Sequence, residues 1–228
     1  MGVNKEHYQE LENELKEKKV TLVAVSKTKP VEDILKLYEL GQRDFAENYV
    51  QELIDKQPQL PRDIRWHFIG HLQSNKVKYL ASFVHLIHAV DSFKLLKEIN
   101  KQAQKAGRII DVLLQVHIAR EETKFGLDER ELHEILIMNP NELQGLRNAR
   151  IVGLMGMASF TEDEDKVRTE FQHLKSLFDK YARPKGGDYQ LQILSMGMSG
   201  DYKIAIEEGS NMVRIGSLLF GAREYPRP

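Results

Sequence analysis

The sequence contains no cysteine. Disulfides, thiolate nucleophiles and thiolate metal sites are therefore excluded, and a reducing compartment, the cytoplasm, is the expected location. No window approaches the ~20 consecutive apolar residues of a membrane span. The segment from Met1 to Lys19 is charged and lacks the apolar stretch of a signal peptide. An excess of either charge is lacking as well. The 33 basic and 34 acidic residues are interleaved, so no block attracts a nucleic acid backbone electrostatically. No linker, low-complexity tract or shift in composition marks a domain boundary, and one domain over residues 1–228 is expected. No G-x-S-x-G elbow supports a serine hydrolase.

What is present is alternation. The chain of 228 residues is close to the ~250 of a (β/α)8 barrel. Apolar or β-branched runs occur at Thr21–Lys27, Asp44–Asn48, Arg65–Gly70, Leu86–Asp91, Asp111–Ile118, Arg150–Met157, Gln190–Gly197 and Met212–Gly221. Between them lie stripes of helical period. Val31, Ile34, Leu35 and Tyr38 form one, and Val167, Phe171, Leu174 and Phe178 another. Pro30 suits a first helical position, Asp128 with Glu131 resembles a capping box, and Thr161 with Glu164 a better one. Strands separated by helices return to the same end and pair in parallel. Eight of them close a single (β/α)8 TIM barrel. Only Ala222 to Pro228 follow the last strand, too few for a closing helix. The amphipathic segment 1–19, with Tyr8, Leu11 and Leu15 on one face, is expected to pack there as an extra N-terminal helix.

Barrels of this kind work at the C-terminal ends of their strands, with phosphate often held after strands 7 and 8. Lys27 ends the first strand behind Val23-Ala24-Val25-Ser26, where partial desolvation would free its amine as a nucleophile. Such a lysine is what pyridoxal 5′-phosphate (PLP) requires. Position alone leaves open a surface lysine just past a strand end. Gly197, Ser199 and Gly200 precede a short helix around Tyr202 to Glu208, with Ser199 or Asp201 as its cap, and exposed amides there would suit a phosphate. Gly216-Ser217 offers a second amide and a hydroxyl. Either loop alone describes an ordinary tight turn; together they fall on the two strands expected to hold phosphate. Alternation turns Val213 and Ile215 outward and Arg214 inward. An inward guanidinium needs a partner or a task. An ion pair with Glu47 or Asp91 is the alternative to a place against the pyridine nitrogen.

Other signals fail. His67 and His71 stand ~13 Å apart on a strand and cannot share a metal. His85 and His88 differ in parity and are expected to serve packing. Glu162 to Asp165 read as the solvated first turn of a helix, and Glu121 and Glu122 as loop charges. No metal site is expected.

The assembled blocks resemble a known family. They are Ala24-Val25-Ser26-Lys27-Thr28, Ala46-Glu47-Asn48-Tyr49-Val50-Gln51-Glu52 and His67 to Lys76. Thr123-Lys124-Phe125-Gly126, Gly153 to Met157, Leu194 to Ser199 and Val213 to Ser217 complete the set, in order and across the chain. The chain is identified as similar to the YggS-like PLP homeostasis proteins. The resemblance implies a fold related to the N-terminal barrel of alanine racemase, with PLP bound as a Schiff base on Lys27. It puts Asn48 near the ring, Arg214 near the ring nitrogen, and Ser199, Gly200, Gly216 and Ser217 on the phosphate. His71 and Met196 fall on blocks that line the pocket. Ala46 departs from the glycine expected before Glu-Asn, which should tighten backbone packing only.

A racemase of this type needs an acid/base group on the far face of the cofactor, usually from a second domain. None is expected here, and Arg214 would weaken the ring as an electron sink. The expected function is therefore a non-catalytic carrier that holds PLP and hands it to PLP-requiring apoenzymes, and the resemblance implies an influence on amino-acid and keto-acid balance. A weak amino-acid racemase and a Schiff-base aldolase acting on a sugar phosphate are the alternatives. Without the usual dimer contact, a monomer is expected.

Overall fold

The computed structural model describes residues 3–119, 125–138, 140–182 and 189–221. Glu121, Glu122, Thr123 and Lys124 lie outside them, as do residues 222–228. The strands are β1 (Thr21–Val25), β2 (Asp44–Glu47), β3 (Arg65–Phe68), β4 (Leu86–Val90), β5 (Ile110–Gln115), β6 (Ala149–Met155), β7 (Ile193–Ser195) and β8 (Met212–Ile215). All pair in parallel, each with its neighbour in sequence, and β8 returns to β1 to close the barrel. The helices are α1 (Lys5–Glu17), α2 (Val31–Glu39), α3 (Val50–Lys56), α4 (Val77–Leu80), α5 (Phe93–Lys105), α6 (Glu129–His133), α7 (Pro140–Gln144), α8 (Glu164–Tyr181), α9 (Tyr202–Glu207) and α10 (Ser217–Phe220).

Alternation along each strand sorts side chains into two layers. Leu22, Ala24, Phe45, Trp66, Phe68, Val213 and Ile215 join the shell between barrel and helices. Val23, Ala46, Leu86, Leu113 and Met212 fill the smaller interior. The same parity carries Ser26 and Glu47 outward, and brings Lys27 and Arg214 over the barrel axis.

Several boundaries differ from the sequence expectation. The eighth strand stops at Ile215 and residues 217–220 turn as α10, so Gly216-Ser217 is a strand-to-helix corner. Pro30 is the cap of α2, one residue before the helix. The Asp128–Glu131 capping box is present in both directions. Thr161 is not the cap of α8. Asp163 is, accepting from the Lys166 amide, while the Thr161 hydroxyl accepts from the Asp163 amide. The helix begins at Glu164, so only its immediate predecessor can reach the first free amides.

Helix α1 is capped by Asn4, whose side chain accepts from the His7 amide and whose own amide donates to the Leu219 carbonyl. It packs on α10 and β1 with Tyr8, Leu11 and Leu15 buried. Burying such side chains contributes roughly 1.5–3 kcal/mol each, against about 5–15 kcal/mol for a whole domain. Deleting residues 1–19 is therefore expected to abolish the cooperative thermal transition. A soluble deletion variant with an unchanged melting curve would show α1 to be dispensable. No helix among the described residues is long and apolar enough to cross a membrane.

Candidate functional site

At the C-terminal mouth a cavity of about 400 Å³ opens over the barrel axis. Its lining includes Lys27, Asn48 and Arg214, with Ser199, Gly200, Gly216 and Ser217. These seven sequence-predicted residues are thus brought together from four strand ends.

The other two are not part of that lining. His71 lies in an adjoining cleft that shares Asn48 with the cavity; its Nδ1 is 3.1 Å from Asp91 Oδ2 and its ring stacks on Phe125 at 4.2 Å. Met196 is fully buried in the outer shell, on the helix side of the barrel. Parity is the reason. Ser195 points inward to Arg214, so its successor must point outward. Met198, two residues on, lines the cavity instead.

Lys27 is half-buried, and the residues flanking it are held from behind. The Ser26 amide donates to the Ala46 carbonyl, and the Ser26 carbonyl accepts from Lys56 Nζ at 2.9 Å. On the other side the Thr28 amide donates to Glu52 Oε1 at 2.6 Å. Lys56 Nζ also meets Glu52 Oε1 at 2.6 Å and Glu47 Oε1 at 2.8 Å. Burial pushes the Glu47 carboxyl up to about 7, with Lys56 and the Ser26 hydroxyl opposing that shift. Its Oε2 has no hydrogen-bond partner. Thr28 itself sits at φ 64°, a left-handed conformation unusual for a β-branched residue, so the turn after Lys27 is held under strain. Sequence reasoning missed this clamp. The Glu52/Lys56 pair has readable i,i+4 spacing, but nothing local signals that it reaches across to Ser26 and Thr28.

The two glycine-containing loops meet through Ser199, whose Oγ accepts from the Gly216 amide at 3.2 Å. Gly197 has φ 99°, and a Cβ there would lie 2.6 Å from the Ala205 Cβ, so only glycine makes this corner. Gly70 permits a second close approach, since a Cβ on it would fall 2.0 Å from the Asn48 carbonyl oxygen. Asp201 is the cap residue of α9, as expected, but its side chain makes no capping bond; its carboxylate turns back to accept from the Met198 amide at 2.6 Å. Burial pushes that carboxyl up, with the Met198 hydrogen bond and Arg214 opposing.

Arg214 is 3% exposed. Its Nη1 donates to the Ser195 carbonyl and hydroxyl at 2.9 and 2.7 Å, and Nη2 donates to the Gly156 carbonyl at 3.0 Å. Burial lowers its pKa to about 10, against the pull of Asp201, and it stays charged at neutral pH. The ion pair considered with Glu47 or Asp91 does not form. Glu47 is on the outer parity with Lys56, and Asp91 holds His71. His67 and His71 are likewise apart, His67 meeting Asp44 and His88. His88 does more than pack, since both its ring nitrogens have polar partners.

The walls missed in sequence include Val25 and Ile69, and the Met157–Thr161 loop after β6. Ser159 in that loop is pinned through its amide and hydroxyl by the buried Glu170 of α8, at 2.6 and 2.7 Å. Val25 shares the parity of Lys27 and was readable. The Glu170 contact, eleven residues away, was not.

An amine, a guanidinium and two hydroxyl-bearing loops at the C-terminal mouth of a parallel barrel define a barrel of the alanine racemase N-terminal class. The family described as "Alanine racemase, N-terminal domain" matches residues 4–224. The pyridoxal phosphate homeostasis protein of Aquifex aeolicus is 42% identical over 207 residues, covering 90% of this chain and 87% of that protein. The human protein of that name is 40% identical over 216 residues, covering 90% and 78%. The chain belongs to the family of pyridoxal phosphate homeostasis proteins. Among solved structures, PipY of Synechococcus elongatus with PLP bound superposes with a TM-score of 0.83 at 33% identity, over 95% of this chain and 99% of that one. Alanine racemase of Clostridium difficile, at 20% identity and a TM-score of 0.72, shares the fold over 99% of this chain and 58% of its own.

Proposed function

We propose that the chain binds PLP as a Schiff base on Lys27 and acts as a carrier of the cofactor that maintains its cellular level. The single observation that carries the reading is that Lys27, Arg214, Ser199 and Ser217 line one cavity of about 400 Å³, within the ~300–1,000 Å³ usual for small ligands. This donor set fits PLP. Lys27 would hold the aldehyde carbon, Ser199, Gly200, Gly216 and Ser217 the phosphate, and Asn48 and Arg214 the ring. Bound PLP supplies an electron-withdrawing ring and an aldehyde that condenses reversibly with amines. The PLP-bound PipY structure and the names of the curated relatives support the same reading.

Two features favour holding over turnover. Arg214 presents a permanent cation where a ring nitrogen would need a proton to draw electrons. Besides Lys27, the ionisable groups among the described lining residues are Lys29, Asp201 and Arg214. Lys29 donates to the Phe220 and Gly221 carbonyls, and Asp201 accepts from Met198. Neither is poised as a second acid or base. The carrier works in the cytoplasm, as a monomer, and hands PLP to apoenzymes. His71, in the neighbouring cleft, would then act at the rim of the site rather than on the ring.

Borohydride reduction of the protein with PLP, followed by peptide mapping, tests this reading. A reduced pyridoxyl group on the peptide containing Lys27 is expected, with no interconversion of single amino-acid enantiomers. Interconversion would establish a racemase instead. Labelling of Lys27 by a ketose phosphate but not by PLP would establish the aldolase.

A further inference from the structure

The barrel interior holds a polar chain in a setting that is otherwise apolar, lined by Val23, Ala46, Leu113 and Met155. Arg214 Nη1 lies 2.7 Å from Ser195 Oγ, and that oxygen 3.3 Å from His88 Nδ1. His88 Nε2 is 2.9 Å from His67 Nδ1, and His67 Nε2 is 3.0 Å from Asp44 Oδ1. Asp44 opens β2 at the N-terminal mouth, whereas Arg214 lines the cavity at the C-terminal mouth. The chain therefore runs the length of the barrel core.

Its two ends fix its direction. A guanidinium can only donate. Asp44 can only accept, because hydrogen bonds from His67 and Arg65 outweigh its burial and hold its pKa at about 2. The Ser195 hydroxyl accepts from Arg214, so its hydrogen is directed to His88 Nδ1. His88 then donates from Nε2 to His67, and His67 from Nε2 to Asp44. Four hydrogens serve four bonds, with both imidazoles in the neutral Nε2–H tautomer. The reverse order would make Ser195 accept twice, leave its hydrogen outside the chain and put an imidazolium in the core. That imidazolium would fall on His67, whose two ring nitrogens would both have to donate, to His88 and to Asp44.

The charged groups around the chain agree. Arg65 forks over both Asp44 oxygens, the His85 ring lies 5.5 Å from that of His67, and Asp201 is a carboxylate that acts on Arg214. Asp44, His67 and His85 could together approach a metal ion. The Arg65 fork and the engagement of both His67 nitrogens make the cluster a chain terminus instead.

We propose that Ser195, His88, His67 and Asp44 are positioning residues for Arg214, a directed chain that anchors the guanidinium at the cavity floor and relays part of the Asp44 charge to it by polarisation. Its effect on the cofactor rests on the PLP reading above; the chain itself does not. Histidine side-chain ¹⁵N spectra of the protein without added ligand should show His67 and His88 as neutral Nε2–H tautomers at neutral pH. An Nδ1–H tautomer or an imidazolium at either would overturn the proposal. In the PLP-loaded protein, Ser195→Ala should lower the pH midpoint of the visible Schiff-base band by about half a unit, because Arg214 loses its link to Asp44. Ser195→Thr, which keeps the hydroxyl, should restore it. An unchanged midpoint in Ser195→Ala, or no restoration by Ser195→Thr, would also overturn it. If PLP produced no visible band in the wild type, the cofactor reading would fail, and the ¹⁵N spectra would still decide the chain.

Discussion

Lys27→Ala is expected to abolish the visible band formed with PLP and to leave no borohydride-trapped label on the protein. Lys27 carries the inward parity of Val23 and Val25, and it lines the cavity whose other walls include Ser199 and Ser217. Removing the amine removes the covalent bond and leaves the loops that would grip the phosphate. Affinity for PLP should fall by at least ~100-fold, about 2.7 kcal/mol, while inorganic phosphate still competes with the residual binding. Lys27→Arg separates charge from nucleophilicity. It keeps the cation and should lose the band as completely. Because Lys27 is half-buried at a cavity rim and outside the core, both variants should unfold within about 0.5 kcal/mol of wild type. A visible band retained by either variant would show that another amine captures the aldehyde.

The second large effect concerns stability. Lys56→Met should destabilise the fold by about 3–5 kcal/mol, since it removes one partner of a buried ion pair. Lys56 is 7% exposed and Glu47 fully buried, and Lys56 bridges Glu47, Glu52 and the Ser26 carbonyl. The loss should grow with pH. Glu47 has its folded pKa raised from 4.5 to about 7 by burial. Between those values the folded state holds a proton that the unfolded state releases, so this group's contribution to stability falls as pH rises through the window. Without Lys56 the folded pKa climbs further, and the penalty extends to higher pH. Urea unfolding at pH 5.5 and pH 8 should therefore show the larger loss at pH 8. Adding Glu47→Gln to Lys56→Met should remove the extra loss at pH 8. A loss equal at both pH values would mean that Glu47 is not the group left without a partner. The same variant should slow capture of PLP, because the Ser26 carbonyl loses its anchor behind Lys27.

The predicted strand runs overlap all eight observed strands, because a β-branched run bounded by helical stripes is a local pattern. Their ends were less legible. Residues 217–220 continue the apolar run of β8 and could extend it as strand, yet they turn as α10 at the Gly216 corner, where the chain passes Val25. At α8 both Thr161 and Asp163 are competent caps by residue type; the position of the first helical residue, set by packing, chose Asp163. Among the site residues, Arg214 is legible from alternation and Lys27 from its place at the end of the first strand. Met196 was assigned from its block alone, although the parity that turns Arg214 inward next to Ser195 also turns Met196 out.

Period-two and period-3.6 patterning thus settled, within the sequence alone, the eight strand runs, their order, and which side of β8 faces the axis. These are properties of neighbours along the chain. The tertiary structure alone decided which inward residues meet across the barrel. Asp44, His67, His88, Ser195 and Arg214 come from five different strands. Their hydrogen bonds depend on inter-strand register and on the bulge between Ile87 and Val90. The clamp behind Lys27 has the same origin, as α3 returns Glu52 and Lys56 to the end of β1. Contacts of this kind depend on where strands and helices pack in three dimensions, and residue spacing in one dimension does not encode that.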